Sequence, residues 1–180
     1  MTHWLPVYDF ATQWPKVGLM LYPLLFVAVG IGLYRKAQRE ADETLVPFLG
    51  TSISKRQQGM WGGIFAASFA GLLSLFAIPA MVAEYTQTRE VYAQKRYKLL
   101  QGVVSNFNPM PASGHKTEDF TVQGVPFSIA NINSTTYGYN QAASEGGVLR
   151  TGLPVRIAYF SRGRQNIILK LDTLATTSSQ

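Results

Sequence analysis

Apolar and charged positions along this chain come in blocks rather than interspersed. Positions 17–34 and 57–83 contain no Asp, Glu, Lys, Arg or His. An α-helix rises ~1.5 Å per residue, so about 20 apolar residues in a row reach across a ~30 Å hydrocarbon core. The blocks predict transmembrane helices over 17–34, kinked at Pro23, and over 60–83. Residues 35–59 predict a connecting loop, and residues 84–100, polar with helix-compatible spacing, predict a stalk that continues the second helix. Ahead of the first block, residues 1–16 carry Trp4, Tyr8, Phe10 and Trp14, rings that settle at the headgroup layer, and predict an interfacial segment.

Past residue 100 the period becomes two. Val103, Ser105 and Phe107 alternate with Val104 and Asn106. Phe120 and Val122, then Phe127 and Ile129, flank Gln123-Gly124, a two-residue hairpin connection in which Gly supplies the positive φ of a primed turn. Val155, Ile157 and Tyr159 share a face, as do Ile167, Leu169 and Leu171, with a polar tip at 161–165 between them. A small sheet with bare edges invites aggregation, and closure removes the edges. The expected fold is therefore membrane α plus all-β: a two-helix transmembrane hairpin, then a small five-stranded OB/SH3-like β-barrel over 101–172 and a disordered tail over 173–180.

Averaged over its 180 residues, 47% hydrophobic and 14% charged, the chain would pass for one soluble domain. The blocks override the average. The absence of cysteine excludes disulfide and thiolate chemistry, and two histidines leave little for a metal centre, so neither cofactor nor metal is expected. The net charge of +6 is spread without a basic run, so nucleic acid is not an expected partner; basic flanks beside anionic headgroups account for it. Residues 35–59 hold five Lys or Arg (Arg35, Lys36, Arg39, Lys55, Arg56), against Lys16 alone before the first helix. Positive charge marks the cytoplasmic side, which predicts a cytoplasmic loop and a β-domain on the non-cytoplasmic face. No basic cluster precedes the first helix and Leu33-Tyr34-Arg35-Lys36 offers no small-residue cleavage pattern, so it reads as an uncleaved anchor.

Small residues recur every four positions at Gly63, Ala67 and Gly71, with Ala28 and Gly32 as a matching face on the first helix. Such spacing lets helix backbones approach in lipid, within the hairpin or between copies of the chain. Neither span carries an ionisable group that would mark an ion path. His115 with Glu118 and Asp119 lacks the nucleophile and orienting group of a hydrolase centre, and Asn133-Ser134-Thr135 matches a glycosylation acceptor. The polar segment 133–150 is the expected ligand or partner loop. Tyr137, Tyr139 and Asn140 offer stacking and hydrogen bonds, Glu145, Gly146 and Gly147 backbone donors, and Arg150 a charge. The alternative is that these rings cap the barrel and the glycines merely turn the chain.

Gly114-His115, Glu118, Phe120, Val122, Gly124 and Phe127, then Tyr139-Asn140, Gly146-Gly147, Gly152, Val155-Arg156-Ile157 and Tyr159 form a run that resembles one in uncharacterised bacterial membrane-anchored proteins. The likeness covers roughly residues 100–172 and implies a bacterial source, hence an inner-membrane protein with its β-domain periplasmic or otherwise extracytoplasmic, but no activity. The layout is also similar to the NfeD group of membrane-anchored OB modules. The expected function is non-enzymatic: binding a protein partner, a second copy, an envelope glycan or a small ligand at the bilayer, or scaffolding an assembly there. A ligand-sensing effector that rearranges its helices is the alternative, and an enzyme completed by a partner a more distant one.

Overall fold

The computed structural model describes residues 3–15, 17–40, 45–48, 51–111, 116–129 and 137–174. His115, the Asn133-Ser134-Thr135 triplet and the tail from 175 onward lie outside the described residues. The chain divides into two compact units, Pro15–Ala83 on the one hand and Met1–Trp14 with Glu84–Gln180 on the other.

The second of these is built on strands β1 (Trp4–Asp9), β4 (Lys98–Asn108), β5 (Glu118–Val122), β6 (Val125–Ile129), β7 (Pro154–Arg162) and β8 (Gln165–Leu174). They form one antiparallel sheet in the order β1-β8-β7-β4-β5-β6. The β5–β6 hairpin turns on Gln123 and Gly124, whose φ of 48° and 77° are those of a primed turn. The long strand β4 serves two partners in succession, pairing residues 98–103 with β7 and residues 104–108 with β5. Between Ser105 and Asn108 the register slips, and Asn106 takes φ 48°, a bulge that bends the sheet. The bend gathers Val104, Phe120, Val122, Phe127, Ile129, Val155, Ile157 and Leu171 into a dry interior, with Phe120 and Phe127 stacked at 5.3 Å.

The sheet stays open, which corrects the five-stranded barrel expected over 101–172. The edge of β8 that a closing strand would need is taken by β1, paired from Trp4↔Leu174 to Asp9↔Lys170. Across the remaining gap Asn166 Nδ2 donates to the Pro126 carbonyl of β6 at 2.8 Å. Proline at 126 has no N–H to offer a ladder, as suits an edge strand. Residues 1–16 are therefore not simply an interfacial segment: Tyr8 packs on the sheet core and Phe10 is 3% exposed.

The other unit contains α1 (Val17–Arg39), a short hairpin of β2 (Leu45–Phe48) and β3 (Thr51–Ser54), and the start of α2 (Lys55–Ala93). Ser54 caps α2: its Oγ accepts the Gln57 N–H at 3.2 Å, and Gln57 Oε1 accepts the Ser54 N–H at 3.4 Å. α1 and α2 run antiparallel in backbone contact. A Cβ on Gly30 would sit 2.6 Å from Ala67 N, one on Gly63 would sit 2.7 Å from Tyr34 N, and one on Gly59 would sit 2.7 Å from Ala37 Cβ. Among the described residues one helix, α2, is long and apolar enough to cross a membrane; its apolar window has mean hydropathy 2.0 and is 11% buried. This corrects the two-helix transmembrane hairpin to a packed helix pair with one candidate span.

Candidate functional site

The last turns of α2 belong to the sheet unit and cover one face of β7 and β8. Ile167 and Leu169 point to this side while Ile168 and Leu171 serve the interior, so β8 is apolar on both faces. Phe10 centres the layer, its ring 5.8 Å from Tyr92, 6.0 Å from Tyr85 and 6.4 Å from Tyr137. At the near end of this segment Glu84 pairs with Arg162 at 3.2 Å.

Beyond the end of α2, the same face of the sheet is left open as a cleft of about 360 Å³ lined by Asp9, Tyr97, Leu99, Arg156, Ala158, Lys170 and Asp172. Strand register sets its floor: Leu99 opposes Ala158, Ala158 opposes Lys170 and Lys170 opposes Asp9, while Arg156 opposes Asp172 in the next row. Alanine at the centre makes the hollow. Two ion pairs line it. Lys170 Nζ lies 3.1 Å from Asp9 Oδ2 and 5.0 Å over the Tyr92 ring, and Tyr92 donates to Asp9 Oδ1 at 2.7 Å. Arg156 donates through Nε and Nη2 to Asp172 Oδ2 at 2.9 and 2.7 Å, and its guanidinium lies 5.4 Å over Trp4.

These contacts set the protonation of the cleft. Hydrogen bonding to Tyr92 raises the Lys170 pKa above the usual lysine value; burial opposes this and Asp9 adds to it. Burial alone would raise the pKa of Asp9, but the Ala11 N–H, Tyr92 and Lys170 together lower it. The cleft thus carries two cations and two anions that cancel, with the 71%-exposed Leu99 on its rim.

The segment expected to bind is placed differently. Tyr137 and Tyr139 are 3% and 5% exposed, Tyr137 against Phe10 and Tyr85, Tyr139 edge-on to Tyr8 at 5.7 Å, so neither ring offers a face for stacking. The Gly146 and Gly147 N–H groups donate to the carbonyls of Ala143 and Ala142, so they close a turn instead of cradling an anion. Gly146 takes φ 86° for that turn. Asn140 is half-buried, while Glu145 and Arg150 reach the surface. Of the helix-packing residues, Gly63 and Ala67 do pack on α1, but against Gly30 and Tyr34; a Cβ added to Gly32 or Gly71 would meet nothing within 4 Å, and Ala28 is exposed. The contact face of α1 is Gly30, Tyr34 and Ala37, on roughly the opposite side from Ala28 and Gly32 of a ~100° per residue helix.

Sequence reasoning passed over Asp9, Lys170 and the strand that joins them. Trp4 to Phe10 reads WLPVYDF, apolar with one charge, and nothing local says that its partner is the strand Gln165–Leu174 at the other end of the chain. It also passed over the depth of Glu118, which is 0% exposed, accepts the Ala143 N–H through Oε2 at 2.9 Å and leaves Oε1 without a partner. Among the described residues no cluster of His, Cys, Asp or Glu could hold a metal ion. No protein-family model, curated protein or solved structure matches this chain.

Proposed function

We propose that this chain is a bacterial inner-membrane protein, held in the bilayer through α2, whose open sheet domain docks a protein partner without catalysing a reaction. The observation that carries the reading is the exposure of the apolar window in α2. A core helix of a soluble protein is mostly buried, yet this window is 11% buried, with Phe65, Leu75 and Phe76 each about 70% exposed. Lipid is the simplest solvent for such a surface.

Docking is assigned to the cleft beside Leu99, since the 137–150 segment spends its rings on the core.

One preparation tests both parts. Membranes from cells making the full chain, with a photo-crosslinking residue at position 99, are washed at alkaline pH and irradiated. The chain is expected in the pellet as a discrete larger adduct. Recovery of monodisperse protein in the wash would refute the membrane reading, and a pelleted chain with no adduct would refute the docking face.

A further inference from the structure

The first half of β4 presents a strand edge that nothing pairs. Residues 98–103 pair with β7 on one side without a slip in register, but on the other side β5 begins only opposite Val104. The tip of the β5–β6 hairpin then covers Gly102, where an added Cβ would sit 3.0 Å from both Gln123 Cγ and Val122 Cγ1. Lys98 to Gln101 are left with no strand on that side among the described residues. The strands that end the sheet are protected differently: each carries a proline, Pro6 in β1 and Pro126 in β6, and a residue without an N–H blunts an edge against further pairing.

The backbone groups at the β4 edge have a defined direction. Along an antiparallel strand, successive residues turn their N–H and C=O groups to opposite sides. The Val104 N–H donates to the Leu153 carbonyl at 2.9 Å, on the β7 side. The Gln101 carbonyl accepts from Gln123 Nε2 at 2.7 Å, on the other side. Both observations give one phase, in which the N–H groups of Leu99 and Gln101 and the carbonyl of Leu99 point away from β7 into the open edge. The side chains there alternate as well. Leu99, 71% exposed, lies on the cleft face, and the exposed Lys98 lies on the opposite face, in no ion pair among the described residues.

We infer that β4 takes up an extended segment of the partner protein as an added strand against Lys98–Gln101, a segment in which apolar and acidic side chains alternate. Two donors and an acceptor held in a row call for a peptide backbone about 4.8 Å away. On the cleft face an apolar side chain of that strand covers Leu99, and on the other face a carboxylate meets Lys98. Pairing with β7 already fixes β4 in the extended form, so the edge itself has little order left to lose on binding. The inference rests on the docking reading and names the class of partner and the way it is held.

The test uses the purified full chain in nanodiscs and a fluorescent octapeptide of alternating valine and glutamate. Binding read by anisotropy is expected, with slowed hydrogen exchange at the Leu99 and Gln101 amides. Affinity should fall about tenfold when lysine replaces glutamate, and about tenfold or more when every peptide nitrogen is methylated, a change that leaves the side chains in place. Gln101→Pro removes an N–H on the open side only, so it should abolish binding while exchange across 154–162 stays as in the wild type. Absence of peptide binding, equal affinity for the lysine or the methylated peptide, or full binding by Gln101→Pro would overturn strand addition. If the photo-adduct at position 99 still forms in membranes, only strand addition falls; if that adduct is missing too, the docking reading falls with it.

Discussion

Glu118 shows how one residue can hold a loop at a cost to the fold. Its carboxyl sits at the start of β5 with no exposed surface and anchors the 3-10 turn at Ala143. Burial pushes its pKa up, against the N–H groups of Ala143 and Met110 that pull it down. A carboxyl with a raised folded pKa holds its proton more tightly folded than unfolded, so its contribution to stability declines as pH rises through and above the ordinary carboxylate range. Glu118→Gln keeps an oxygen for Ala143 and cannot ionise. Urea midpoints of the two proteins should therefore shift in the variant's favour between pH 4 and pH 8, whereas Glu118→Ala should lose about 1–3 kcal/mol at both. A pH-independent difference between wild type and Gln would show that folding leaves the carboxyl pKa where it was.

At the scale of elements, the helix pair is governed by which glycines face which backbone. Gly30 and Gly63 lie in mutual backbone contact, whereas Gly71 has open space around it. Gly30→Leu must push α1 away from α2, and overpacking of this kind typically costs about 1–3 kcal/mol. Gly71→Leu should be silent, and being the better helix former it should if anything add slight stability. Thermal unfolding in detergent separates the two; equal behaviour of the variants would refute the packing register. The small-residue row at Gly63, Ala67 and Gly71 was legible in the sequence, but which of its members meet the other helix was not. That depends on the rotation of α1, and Gly30, Tyr34 and Ala37 carry no more distinctive local signal than Ala28 and Gly32.

For the whole molecule the decisive contact is the first strand on the last. β1 pairs with β8 and delivers Phe10 to the aromatic layer under α2. Removal of residues 1–12 should expose the β8 edge and open that layer, at about 3–5 kcal/mol for the Phe10 ring alone, while the β5–β6 hairpin at the opposite end of the sheet keeps its partners. Amide hydrogen exchange should show faster exchange in 165–174 and little change in 118–129; uniform protection would mean that β1 is dispensable. What the sequence alone determined is local in origin: the uncharged blocks, the period-two stretches that became β4 to β8, the Gln123-Gly124 turn, and the want of a recognisable catalytic pattern. Periodicity and turn chemistry are set by neighbours a few residues apart, so they can be read one window at a time. Only the tertiary structure decided that the sheet is open, that Tyr137 and Tyr139 are core, and that Asp9, Lys170 and Tyr92 meet. Each of these hangs on a pairing between opposite ends of the chain, and a strand's edge carries no mark in the sequence of the strand that will occupy it.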